Sequence, residues 1–133
     1  MKQYLTTVLL GAFALASLAL PLSATQLTDQ NKQFLAAYEK VHHALIADDL
    51  TAAKKAAGDL GTTGTELANS KSLDDARLAF AKVSSEAEKL AAGQPGYYVM
   101  HCPMKKSDWV QTNDKVANPY AGKEMLNCGE LKK

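Results

Sequence analysis

The sequence predicts an all-α fold: an antiparallel three-helix bundle with an irregular C-terminal cap that contains one short helix. Three consecutive stretches carry apolar residues at alternating spacings of three and four, the rhythm of a one-sided helix. That rhythm stops at Gly96, where alanine becomes scarce and Tyr97, Tyr98, Trp109 and Tyr120 appear. The chain has 133 residues, and 133 − 24 = 109 remain once an expected leader is removed, one domain's worth of chain.

The leader comes first. Lys2 gives a short positive region, Leu5 to Leu20 is uncharged and rich in Leu and Ala, and Pro21-Leu22-Ser23-Ala24 ends on a small residue. That is the layout of a secretory signal peptide. The apolar run is short against the ~20 residues of a membrane span, and no Cys adjoins the cleavage point to take a lipid. The expectation is cleavage after Ala24 (residues 1–24 the signal peptide), export to the periplasm or medium, and no membrane association afterwards.

Residues 25–133 then form a single helical domain, with a bundle over 25–95 and a cap over 96–133. The first helix, 29–47, places Phe34, Tyr38, Val41 and Leu45 on one stripe, with Thr28 or Asp29 to cap it. The second, 50–68, carries Leu50, Ala53, Ala57, Leu60, Gly64 and Leu67 behind an Asp49 cap. Gly58, Gly61 and Gly64 weaken it, each by about 1 kcal/mol against Ala in a helix interior. The third, 73–91, carries Leu73, Ala76, Phe80, Val83, Ala87 and Leu90. Ser72 and Asp75 open it as a capping box, and Gly93 and Pro95 close it. Three such stripes joined by short links bury each other.

In the cap, Tyr97 to Met100 reads as extended chain. Asn118 and Pro119 read as the cap and first residue of a short helix, with Gly129 at its end. Both cysteines lie in this region, with three of the four methionines: Met100, Met104 and Met125. Thiolate and thioether sulfurs select Cu(I) over harder divalent ions. Cys102 and Met104, two apart in extended chain, would point one way. Met125 and Cys128, three apart on a helical turn, would share a face. Brought together, the two arms would make a Cys₂Met₂ cluster with His101 at its edge. His42 and His43 are adjacent on a helix and point about 100° apart, so they are not expected to share an ion. Both read first as solvated or half-buried histidines; the alternative is that His42 reaches a C-terminal site packed against its helix.

The stretch His101-Cys102-Pro103-Met104, then Trp109, then Asn118-Pro119-Tyr120-x-Gly122-x-x-Met125-x-x-Cys128-Gly129 resembles the signature of domain-of-unknown-function family 3347. Tyr38, Ala44-Leu45, Asp48 and Phe80-x-x-Val83-Ser84 are similar to its helical part. The resemblance spans roughly residues 34–130. It implies a small periplasmic helical domain, found alone or attached to adaptor proteins of copper/silver efflux pumps, that binds Cu(I) or Ag(I). Carried over by position, the implied ligands are Cys102, Met104, Met125 and Cys128. The chain lacks the length of an adaptor, so only the domain's role transfers. His42 and His43 fall outside the signature.

A second reading needs no metal. Two cysteines in an exported protein commonly form a disulfide. A Cys102–Cys128 bond would close a 27-residue loop and stabilise the chain by about 3–4 kcal/mol. The protein would then be a non-enzymatic structural or interaction module. In either reading the cysteines must meet in space. Enzyme readings lack a motif: there is no Cys-x-x-Cys, no haem-attachment site, no phosphate loop and no nucleophile elbow. No covalently attached cofactor is expected. Lys2 leaves with the signal, so 14 basic and 14 acidic residues remain. Nothing in that balance draws nucleic acid or an anionic membrane. The expected product is a monomer whose partners are a soft metal ion and a copper/silver efflux system.

Overall fold

The computed structural model describes residues 25–132, so the expected signal peptide lies outside the described residues. The chain runs α1 (Asp29–Ile46), α2 (Leu50–Ala57), a 3₁₀ stretch (Gly58–Gly64), α3 (Thr65–Ala68) and α4 (Leu73–Ala91). Then come β1 (Tyr98–Cys102), β2 (Ser107–Gln111), a 3₁₀ turn (Gly122–Met125) and β3 (Glu130–Leu131). The all-α expectation is wrong. A three-stranded antiparallel sheet in the order β2-β1-β3 replaces the irregular cap, and the fold is mixed.

The helical half forms for the local reasons in its sequence. Thr28 Oγ1 accepts from the Asn31 N–H at 3.1 Å, Asp49 Oδ1 from Ala52 at 2.9 Å, and Ser72 Oγ from Asp75 at 3.1 Å. Each is a side-chain oxygen satisfying a first-turn donor. The glycines break the second helix. Gly61 takes φ 62° and ψ −142°, outside helical space and open to glycine alone without strain, so α2 and α3 are separated by 3₁₀ turns. The stripe survives the break: Ala53, Ala57, Leu60, Gly64 and Leu67 are all buried.

The sheet completes the core instead of capping it. Met100, Cys102, Trp109, Val110 and Tyr120 join Tyr38, Phe80 and the helical stripes in one hydrophobic cluster. Tyr38 stacks on Phe80 with ring centroids 4.7 Å apart, Phe80 meets Tyr120 at 5.9 Å, and Tyr120 meets the edge of Trp109 at 6.1 Å. The polar ends of these rings are paired. The Tyr38 and Tyr120 hydroxyls both reach Ser84 Oγ, at 2.7 and 3.2 Å, and Tyr38 Oη accepts from the Val110 N–H at 3.1 Å. Trp109 Nε1–H donates to Gln111 Oε1 at 2.8 Å, and the Gln111 amide donates to the carbonyls of Asn113 and Lys115. One buried glutamine thus satisfies the indole and folds the 112–117 loop. No helix among the described residues is long and apolar enough to cross a membrane.

Candidate metal centre

The site is built by two local devices that fix Cys102 and Cys128. Cys102 ends β1, and its side chain faces the helices with Met100, both fully buried. The strand stops there because Pro103 has no N–H to continue the ladder. Residues 103–106 turn the hairpin, closing on the Cys102–Ser107 pair, with Lys106 at φ 50°. This turn aims the Lys105 N–H at Cys102 Sγ, 3.4 Å away.

Cys128 is carried by a loop hung from Asn118. Asn118 is buried, with its backbone N–H and both ends of its side-chain amide paired. Its N–H donates to the Leu126 carbonyl at 2.7 Å, its Oδ1 accepts from the Tyr120 N–H at 2.8 Å, and its amide donates to the Cys128 carbonyl at 2.6 Å. The expected helix from Pro119 is absent. Asn118 folds its side chain over the Pro119 peptide as an Asx turn, and only a 3₁₀ turn follows, closed by Cys128 N–H to the Met125 carbonyl at 3.0 Å. Gly129 then passes directly over the indole. Its φ is 151°, and a Cβ there would lie 2.6 Å from the Trp109 ring. Only glycine lets the chain come this close and enter β3.

These devices leave Cys102 Sγ and Cys128 Sγ 3.9 Å apart, both as free thiols. The meeting of the two cysteines is as expected. Their environments differ. Burial raises the Cys102 thiol, but the Lys105 N–H, the Asn118 side chain, Cys128 and the Met104 backbone outweigh it, and its pKa is lowered. The Cys128 thiol is raised, by desolvation and then by its bond to Cys102 and that neighbour's charge. The two thiols are shifted in opposite directions, so Cys102 is the more acidic of the pair and the first to give up its proton.

The other predicted ligands are placed less uniformly. Met125 is half-buried in the 3₁₀ turn that precedes Cys128. Met104 is not carried beside Cys102 by an extended chain: it sits in the hairpin turn, 69% exposed. His101 alternates with Cys102 along β1 and so faces the other side of the sheet. There its Nδ1 lies 2.6 Å from Asp108 Oδ1 on β2, and Asp108 also pairs with Lys132. Asp108 is held below its usual range: desolvation pushes it up, and the bonds from Lys132 and His101 pull it further down.

A second group lies on α1. One ring nitrogen each from His42 and His43 and a carboxylate oxygen of Glu39 all lie within 4.8 Å of one another. The divergence expected of adjacent histidines is corrected here. Their rings meet edge to face at 5.7 Å, and Glu39, one turn earlier, lies within reach of both. The Glu-x-x-His-His spacing was the available signal, since i, i+3 and i, i+4 positions share a helix face. His42 does reach the C-terminal segment, but at a backbone carbonyl: Nε2 lies 2.7 Å from the Ala117 oxygen.

No family model, curated protein or solved structure matches the chain.

Proposed function

We propose that the chain is an exported binder of Cu(I) or Ag(I), with Cys102 and Cys128 as the primary ligands and Met125 as a third. The observation that carries this is the 3.9 Å separation of two unbonded sulfurs. Two sulfurs each about 2.3 Å from one ion, at a tetrahedral angle, lie about 3.8 Å apart. The sulfurs need little movement to accept an ion. The lowered pKa of Cys102 eases loss of the proton that a metal displaces, and a thioether suits a soft monovalent ion. Met104, exposed in the hairpin turn, is a fourth ligand that closes over the ion. His101 lies on the opposite sheet face and is dropped from the ligand set. Membership of domain-of-unknown-function family 3347, a periplasmic location after cleavage at Ala24, and service to a copper/silver efflux system belong to the same proposal.

The same separation supports a second reading, a Cys102–Cys128 disulfide in a non-enzymatic module, since the thiols need only approach and oxidise. The two readings part on one measurement. Protein purified from the periplasm is counted for free thiols. After reduction it is then titrated with Cu(I) against a chelator, as wild type and Cys128→Ser. The metal reading expects one Cu(I) per chain in the wild type and at least a tenfold weaker site in the variant. No Cu(I) binding by reduced wild type makes the disulfide module the function. N-terminal sequencing of the exported protein should begin at Thr25.

A further inference from the structure

His42 is the one histidine of this chain in the core, 2% exposed. The partner of its Nε2 is a carbonyl oxygen, which only accepts, so Nε2 carries the proton and donates to Ala117. Nδ1 then presents a lone pair. Among the described residues it is the only buried side-chain nitrogen or oxygen with no hydrogen-bond partner. Buried polar atoms are nearly always paired, and an exception calls for a cause.

The surroundings supply one. A histidine that ligates a metal typically donates its other ring N–H to a carbonyl or carboxylate, which fixes the tautomer and aims the free lone pair. His42 has that arrangement already. Glu39 is half-buried beside it, with Oε1 accepting from Thr112 Oγ1 at 2.9 Å and lying 3.0 Å from His43 Nε2. His43 is exposed over 65% of its side chain and free to turn. Ligand atoms sharing one tetrahedral ion at about 2.0–2.2 Å lie about 3.3–3.6 Å from each other. His42 is fixed in the core, so the 4.8 Å spread closes to that as the exposed His43 ring and the Glu39 carboxylate turn toward it.

We infer that Glu39, His42 and His43 form a second metal site, separate from the sulfurs, for a divalent first-row ion of the Zn(II) or Cu(II) type. Two imidazoles and a carboxylate contain no soft donor, so this set selects a divalent ion over Cu(I). On binding, His42 keeps its proton on Nε2 and offers Nδ1. His43 moves its proton from Nε2 to Nδ1 and offers Nε2, so the two neutral rings release none. Water completes the coordination. The site draws on residues of α1 alone and stands or falls apart from the sulfur reading.

The test is a Zn(II) calorimetric titration of the reduced full chain carrying Cys128→Ser, which disables the thiol pair. That protein is compared with the same chain carrying Glu39→Gln or His43→Ala in addition; His43 is exposed and Glu39→Gln keeps the size of a half-buried side chain, so both changes spare the core. One Zn(II) per chain in the parent, weakened at least tenfold by each added substitution, is the expected result. A parent that binds no Zn(II), or added variants that bind as tightly as the parent, overturns the site. Imidazole ¹⁵N spectra of the wild type give a readout that needs no variant. Zn(II) should shift His42 Nδ1 and His43 Nε2, and a spectrum in which only His101 responds overturns the assignment.

Discussion

The helical half and the sheet half of this molecule are held together in different ways. Residues 29–91 are fixed by short-range devices: caps at Thr28, Asp49 and Ser72, and stripes that need only pack. Residues 96–132 carry short strands, β1 and β2 of five residues each and β3 of two, joined by long irregular loops. They are fixed by buried side chains that satisfy backbone carbonyls: Gln111 those of Asn113 and Lys115, Asn118 that of Cys128, and Tyr120 that of Asp108. The contrast bears on function. The half organised by repetition supplies rigidity, and the half organised by individual polar residues holds two sulfurs at a set distance.

The sharpest way to break this comparison is to ask whether the halves unfold together. Phe80, on α4, and Trp109, on β2, both touch Tyr120 and are fully buried. Either one changed to Ala should cost about 3–5 kcal/mol in urea unfolding, with a single transition by fluorescence and circular dichroism. If Trp109→Ala costs under about 1 kcal/mol, or gives two transitions, the sheet is an appendage and not half of the core.

How far each half was legible follows from the same contrast. Helical spacing and capping are local, so the first and third helices were readable to within a residue, whereas the second, expected as one helix over 50–68, is broken at the glycines 58, 61 and 64 that weakened it. Of the sheet only the start of β1 was readable, as the extended stretch from Tyr97 to Met100. Its hairpin turns through Pro103-Met104-Lys105-Lys106, which lacks an Asn-Gly or Asp-Gly pair, and β3 pairs with β1 across some thirty residues. Neither leaves a periodic trace. Asn118-Pro119 fits a helix start as well as an Asx turn, and only the carbonyl of Cys128 within reach of the amide decides it. Within the site, the cysteine pair was legible because both readings of two cysteines require contact. The places of Met104 and His101 turned on the hairpin and went astray with it.

Asn118 tests the second half's mode of construction directly. Asn118→Ala leaves the Tyr120 N–H and the Cys128 carbonyl without partners, and each buried unpaired group costs about 1–3 kcal/mol. The expected loss is about 2–4 kcal/mol in urea unfolding. Support of this kind beside a ligand is worth about 10–100-fold in metal affinity, so Cu(I) binding should weaken even where the variant remains folded. Unchanged Cu(I) affinity would mean that the Cys128 loop holds its place without Asn118.

Acid separates the halves by their titrating groups. Burial lowers the His42 pKa from its ordinary 6.5; the Ala117 carbonyl and Glu39 oppose the shift, and His43 adds to it. The unfolded chain therefore binds more protons than the native one below about pH 6.5, and stability falls as pH drops through that value. Asp108, also lowered, adds a second loss only below its ordinary 3.8. Urea midpoints from pH 7.5 to 5 should decline in the wild type and flatten in His42→Gln, while Asp108→Asn leaves that window unchanged. A decline that persists in His42→Gln would assign it elsewhere.

The methionines give the smallest structural effect and the finest test of the site. Met104→Leu sits in an exposed turn, and such surface changes stay within about 0.5 kcal/mol. Met125→Leu keeps volume and apolarity at a half-buried position and should cost under about 1.5 kcal/mol. Each removes a thioether and little else. If the sulfurs bind one soft ion, Met125→Leu weakens Cu(I) in a competition titration of reduced protein by more than Met104→Leu does. Met125 is held three residues from Cys128 by the turn that the Cys128 N–H closes, whereas Met104 must leave solvent to reach the ion. Equal, large losses would show that the hairpin turn closes fully over the ion. No loss in either variant would leave a site made by Cys102 and Cys128 alone.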